Sequence, residues 1–223
     1  MRRFVVVGTG RSGTGYMSDL LTACGIPCGH EQVFGPAQAT RAEPVVWGKW
    51  EADASWLAVP RLPMLGVPVV LVTRHPLPTV RSMVRIGQFT DDGADGLYGS
   101  AIRAFRPEVY AERTEPDRAL AMWLHWTVAA AAHADHILAL EHLTTERLTG
   151  VLHALGADVA PDVVRRALRS TPRSNQRPDR KRVQHRAVWR HHRRGLADIA
   201  KRVAAGLGYD PEQPPPRPEG GSP

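Results

Sequence analysis

Three stretches of the chain are apolar without alternation: FVVV at 4–7, VPVVLV at 67–72 and HILAL at 136–140. Short β-branched runs of this kind suit strands buried on both faces of a parallel sheet. Between and after them the apolar positions recur at helical spacing. Met17, Leu20, Leu21 and Cys24 fall at i, i+3, i+4 and i+7, as do Leu148, Val151, Leu152 and Leu155. A longer helix is predicted from Asp117 to His133, with Leu120, Trp123, Leu124 and Val128 on one face. It opens with Thr114-Glu-Pro-Asp117, which supplies an N-cap and a first-turn proline. Leu196, Ile199, Ala200, Val203 and Leu207 repeat the spacing near the end of the chain. Strands alternating with helices predict a three-layer α/β/α fold with a mainly parallel central sheet, whose ligands gather at the carboxyl ends of the strands.

Two segments break the pattern. Residues 210–223, DPEQPPPRPEGGSP, are too rich in Pro and Gly to pack and predict a disordered tail beyond one domain of residues 1–209. Residues 87–113 carry glycine and acidic punctuation with scattered aromatics, which predicts a mobile segment over a site. A chain of 223 residues that is 43% hydrophobic furnishes one sizeable core. It has no run of about 18 apolar residues, and Met-Arg-Arg leads straight into the first strand pattern. Neither a membrane span nor a secretory signal is therefore expected, and the protein reads as soluble and cytoplasmic. Cys24 and Cys28 lack the partners of a zinc site or a disulfide framework, so both read as small packing residues. The formal charge of +7 is uneven: residues 165–202 hold 14 Lys and Arg against Asp179 and Asp198, a net +12 that leaves −5 elsewhere. Such a block suits a polyanionic ligand or nucleic acid, and equally a solvated face.

Chemistry enters with the turn after the first strand. In Gly8-Thr-Gly10-Arg11-Ser12-Gly13-Thr14-Gly15 the glycines let successive N–H groups converge on one anion at a helix N-terminus. A magnesium-triphosphate enzyme would need Lys and then Ser or Thr after the last fixed glycine, where this chain has Thr14 and Gly15. The cation sits instead at Arg11, three residues before Thr14. The second run ends in Arg74, followed by Pro76 and, eight residues after the arginine, by Ser82. A guanidinium leaving the sheet beside the first turn offers a fork of donors to a phosphate, and a helix serine adds a hydroxyl.

These two motifs, in this order, resemble those of the sulfotransferases that use 3′-phosphoadenosine-5′-phosphosulfate (PAPS). In that family the first motif binds the 5′-phosphosulfate and the second, a strand-end Arg-x-Pro followed by Ser, the 3′-phosphate. The resemblance implies a fold like that of the P-loop nucleoside triphosphatases, PAPS as donor, and Gly10, Arg11, Ser12, Gly13, Thr14, Gly15, Arg74 and Ser82 as its binding residues. Weaker likenesses extend it: Ser55-Trp-Leu57-Ala-Val-Pro60 is similar to a "SxLxxP" stretch, Glu141 to the acid of a strand-end Glu-x-Leu, and Leu207-Gly-Tyr209 to the closing Leu-Gly-Tyr. The C-terminal Arg-Lys-Gly signature of the cytosolic animal enzymes is absent, and by charge the basic stretch 169–182 is its best substitute.

Sulfuryl transfer needs charge stabilisation at the leaving phosphate oxygen, for which Arg11 and the loop amides are placed, and a base for the acceptor proton. It needs no metal. The resemblance points to Glu31 as that base, with His30 as second candidate or as its orienter. The expected partner is a hydroxyl- or amine-bearing small molecule, carbohydrate or lipid acceptor. Trp47 and Trp50, which flank Lys49, are open to two readings, an aromatic wall for an acceptor or packing. Trp123 reads as core. The alternatives are an ATP-dependent kinase, which the missing lysine disfavours, and a non-catalytic nucleic-acid or polyanion binder, which leaves both motifs unexplained.

Overall fold

The computed structural model describes residues 3–40, 43–90, 93, 95–172, 189–190 and 192–213. Five strands form one sheet: β1 (Phe4–Val7), β2 (Cys28–His30), β3 (Ala52–Ala54), β4 (Val69–Thr73) and β5 (His136–Ala139). Their order is β2-β3-β1-β4-β5, and every neighbouring pair is parallel. The eight helices used below are α1 (Thr14–Ala23), α2 (Pro36–Thr40), α3 (Pro76–Arg85), α4 (Leu97–Phe105), α5 (Glu115–Ala131), α6 (Thr145–Ala154), α7 (Pro161–Ser170) and α8 (Arg194–Gly206).

The two-residue period of a strand divides the core. Val5, Val7, Val69 and Leu71 face one hydrophobic cluster, built with side chains of α3, α5, α8 and the 3-10 helix Trp56–Met64. Phe4, Val6, Val70 and Val72 face the other, built with α1, α6 and α7. Helices thus cover both faces, an arrangement compatible with three α/β/α layers. Val128 and Ile199 follow their helices' apolar spacing yet stay 49% and 44% exposed. Both line an apolar groove of about 570 Å3, with Val59, Pro63, Phe105 and Leu124, that includes no residue of the glycine-rich turn.

The chain leaves β1 for β2 on one side of it and crosses back from β3 to β4 on the other. This reversal opens a crevice at the carboxyl end of β1, where parallel α/β sheets hold their ligands. Thr114 caps α5 as expected, its hydroxyl accepting from the Asp117 amide at 3.2 Å.

Several expectations need correction. β2 (Cys-Gly-His) and β3 (Ala-Asp-Ala) carry no apolar run, and backbone pairing to β3 and β1 is what makes them strands. Segment 87–113, expected to be a mobile segment over a site, holds α4 and a 3-10 turn, Pro107–Ala111, and its Phe89, Ala101, Ile102 and Val109 are buried in the core. The expected tail begins too early, because residues 210–213 are held by side chains. Trp189 Nε1 donates to the Pro211 carbonyl at 2.7 Å, and Lys201 Nζ donates to Glu212 at 2.7 Å. Residues 214–223 lie outside the described residues.

Candidate active site at the carboxyl ends of β1 and β4

β1 runs directly into the glycine-rich turn. Gly13, the residue before α1, has φ 106°, and Arg11 has φ 69°. Both lie in the left-handed region that favours glycine, so Arg11 is held at a conformation costly for a side-chain-bearing residue. No side chain caps α1, which leaves its first-turn N–H groups aimed into the crevice. Gly8 is demanded by space: a Cβ there would lie 2.3 Å from Ser12 Oγ and 2.6 Å from the Val72 carbonyl oxygen.

That contact also places Ser12. Its hydroxyl is fully buried beneath the turn without a hydrogen-bond partner, and its amide donates to the Thr9 carbonyl at 3.0 Å. Although it belongs to the motif, Ser12 therefore turns both donors away from the crevice. Its role in this geometry is to shape the turn.

The second motif meets the first. Arg74 follows β4, and Ser82 lies on the second turn of α3, buried. Arg11 Nε donates to Ser82 Oγ at 3.0 Å, and Arg74 Nη1 donates to the Arg11 carbonyl at 3.4 Å. Burial, and then the charges of Arg85 and Arg74, hold the Arg11 guanidinium below its ordinary pKa. Neighbouring cations that act on Arg11 in this way form a site suited to an anion. Glu141 orients the second arginine: its Oε1 lies 3.9 Å from Arg74 Nε and accepts from the His75 amide at 3.1 Å, while Oε2 accepts from Tyr209 at 3.1 Å. Tyr209 also bonds Thr73 Oγ1 at 3.0 Å, so two of the weaker sequence likenesses converge behind Arg74. Burial first, and then the Glu141 charge, push the Tyr209 phenol far up, which keeps it a donor. From α5, buried Trp123 donates its Nε1–H to the Arg74 carbonyl at 3.2 Å.

The candidate bases stand at the end of β2. His30 Nε2 lies 3.4 Å from Thr14 Oγ1, within hydrogen-bond reach, and a Cβ on Gly15 would sit 3.5 Å from the His30 ring. The imidazole thus stands at the rim of the turn, where even a Cβ at residue 15 would make only an ordinary contact with it. Glu31 has φ 56°, a second left-handed non-glycine residue. The cause lies one strand away, where Asp53 of β3, fully buried, accepts from the Gln32 amide at 3.0 Å and the Phe34 amide at 3.1 Å. Burial raises the Asp53 pKa and the amide donors oppose it. Glu31 Oε1 lies 3.8 Å from His30 Nε2, and Oε2 accepts from the Tyr98 hydroxyl at 3.1 Å.

Arg11, Thr14, Gly15, His30 and Glu31 therefore share one rim with Arg74 and Ser82, and Gly10 and Gly13 form the turn between them. Asp53, Tyr98 and Trp123 support this rim without any motif to announce them. A lone Asp among alanines and a Tyr in a glycine-rich segment have no local signature. Trp50 lies two residues before β3, at the amino end of the sheet and away from the crevice. Trp47 packs edge-on to Phe34 at 5.7 Å, and Lys49 lies over Trp50 at 4.7 Å, so both tryptophans serve packing here. In the basic stretch expected to hold the 3′-phosphate, residues 173–182 lie outside the described residues. Cys24 and Cys28 are buried, free thiols.

Among the described residues no group of three or more His, Cys, Asp or Glu is arranged to hold a metal ion, and no helix is long and apolar enough to cross a membrane. No protein-family model matches the chain, and no curated protein is similar to it.

Proposed function

We propose that this chain is a sulfotransferase of P-loop-like α/β fold that moves a sulfuryl group from PAPS to a hydroxyl or amine of a small-molecule, carbohydrate or lipid acceptor. One observation carries the reading. The Arg11 side chain bonds Ser82 while Arg74 bonds the Arg11 backbone, so motifs 71 and 63 residues apart face one crevice between adjacent strands. The donor set fits a nucleotide with phosphates at both ends: uncapped helix amides and Arg11 at one, Arg74 and Ser82 at the other. Ser82 accepts from Arg11 through its oxygen and keeps its own O–H to donate.

PAPS supplies an SO3 unit whose bond to the 5′-phosphate oxygen breaks as the bond to the acceptor oxygen or nitrogen forms. The electron pair of the broken bond stays on that phosphate oxygen, where Arg11 and the α1 amides stabilise the growing charge. Thr14, beside His30, fixes the same end of the donor. Glu31 receives the proton the acceptor loses, with His30 between it and the turn. The strained backbone at Arg11 and Glu31 supports these roles, since such conformations cluster where function demands them.

The test is calorimetric titration with adenosine 3′,5′-bisphosphate and, separately, ATP, each with and without magnesium. Metal-independent binding of the bisphosphate, weakened about 10- to 100-fold in Arg74→Ala by loss of charged hydrogen bonds, is the expected result. Binding of magnesium-ATP alone, or of neither nucleotide, overturns the proposal.

A further inference from the structure

We propose that Tyr98 is the positioning residue of the acceptor side, its phenol hydroxyl holding the Glu31 carboxylate where the acceptor proton is received. This role rests on the assignment of Glu31 as base made above. Asp53 fixes the backbone of the turn at residues 31–34, but a glutamate side chain keeps its own rotamers unless something takes hold of its end. His30 Nε2 is too far from the carboxylate, at 3.8 Å, for a hydrogen bond. The hydroxyl of Tyr98, at 3.1 Å, supplies one.

Tyr98 can do this because its ring is itself held. It lies 5.7 Å from the Trp56 ring at an interplanar angle of 39°. Trp56 is buried against Trp126, 5.6 Å away, and the Trp126 indole N–H donates to the Trp56 carbonyl at 2.9 Å. A rigid aromatic stack thus runs from the core of α5 through the 3-10 helix to α4 and ends on the candidate base. Beneath it, buried Ala101 and Ile102 anchor α4. Burial first, and then the Glu31 charge, raise the Tyr98 phenol above its ordinary pKa, so it remains a protonated donor across neutral pH. At 46% exposure the ring keeps an open face toward solvent, as a residue lining an acceptor subsite must.

The experiment is a double-mutant cycle on full-length protein. The release of adenosine 3′,5′-bisphosphate from PAPS, with water as the acceptor, is measured in wild type, Tyr98→Phe, Glu31→Gln and the double variant. The bisphosphate's affinity is measured in each by calorimetry. Tyr98→Phe is expected to slow release about ten-fold, the effect of one hydrogen bond to a charged group, with affinity held within about two-fold. In the Glu31→Gln background the same change is expected to alter the rate by less than about two-fold, because the carboxylate that Tyr98 positions is already gone. An equal loss in both backgrounds, or no loss in the first, overturns the role. The contact itself is read without turnover by the pH titration of the Tyr98 phenol, followed by NMR of 13C-labelled tyrosine. Glu31→Gln should lower that pKa toward the ordinary tyrosine value, and an unmoved titration sinks this proposal alone. A wild-type chain that binds no bisphosphate and cleaves no PAPS instead removes the sulfotransferase reading, and this role with it.

Discussion

Gly8 and Ser12 behave as one unit, the serine hydroxyl filling the space a side chain at Gly8 would need. Gly8→Ala must push on the Val72 backbone as well, 2.6 Å from the new methyl, and backbone gives way less readily than a side chain. The expected cost is about 1–3 kcal/mol, typical of overpacking, read as a lower urea midpoint with unchanged slope. Cys28 makes a different prediction. Burial pushes its thiol from an ordinary 9.0 up to about 12. Below pH 9 the thiol is protonated folded or unfolded, so it favours neither state. Between pH 9 and about 12 the unfolded chain ionises first, and stability is lost as pH rises. Cys28→Ala should therefore lose less stability than wild type between about pH 8 and about pH 10.5 in urea titrations. At this scale the two arginine motifs could be located from the sequence because each follows a strand, which a single run of apolar residues announces. The burial of Ser12 beneath the turn was not legible, because residue type does not say which way a side chain turns.

At the scale of elements the turn after β2 is the informative case. Nothing within residues 28–34 explains why Glu31 sits in a left-handed conformation. The explanation is a carboxylate on β3, reached only when β2 and β3 pair in register, Gly29 opposite Asp53. Asp53→Ala would leave the Gln32 and Phe34 amides without their acceptor, at about 1–3 kcal/mol for the buried Phe34 group. The expected result is a clear drop in melting temperature, with PAPS cleavage falling further than bisphosphate affinity because the turn carries Glu31, the proposed base. Comparable losses in both would place Asp53 in the general scaffold. α4 was hidden for a related reason: the glycines and acidic residues around it read as a mobile segment, yet burial of Ala101 and Ile102 holds the helix in place.

For the whole molecule, the connection that matters runs from the carboxyl-terminal end of the described chain to the crevice. Tyr209 reaches Glu141, 68 residues earlier, and Thr73, 136 residues earlier, and through Glu141 it bears on Arg74. Tyr209→Phe keeps the ring and removes the donor. It should cost about 1–2 kcal/mol of stability, the price of a buried hydrogen bond to a charged group, and weaken bisphosphate binding several-fold, both measurable in one calorimetric series. Unchanged affinity would separate the Glu141 network from the anion site. By itself the sequence determined the parallel-sheet class, the places of the three longest strands and the order of the two arginine motifs, since these depend on apolar runs and local spacing; β5, expected to be buried on both faces, is instead an edge strand with Ile137 50% exposed. Tertiary structure alone decided that the motifs share a crevice, that Ser12 turns inward and that Asp53 and Tyr98 govern Glu31. Each of those facts is a contact between residues distant along the chain, created by strand order and helix packing, and no local pattern encodes it.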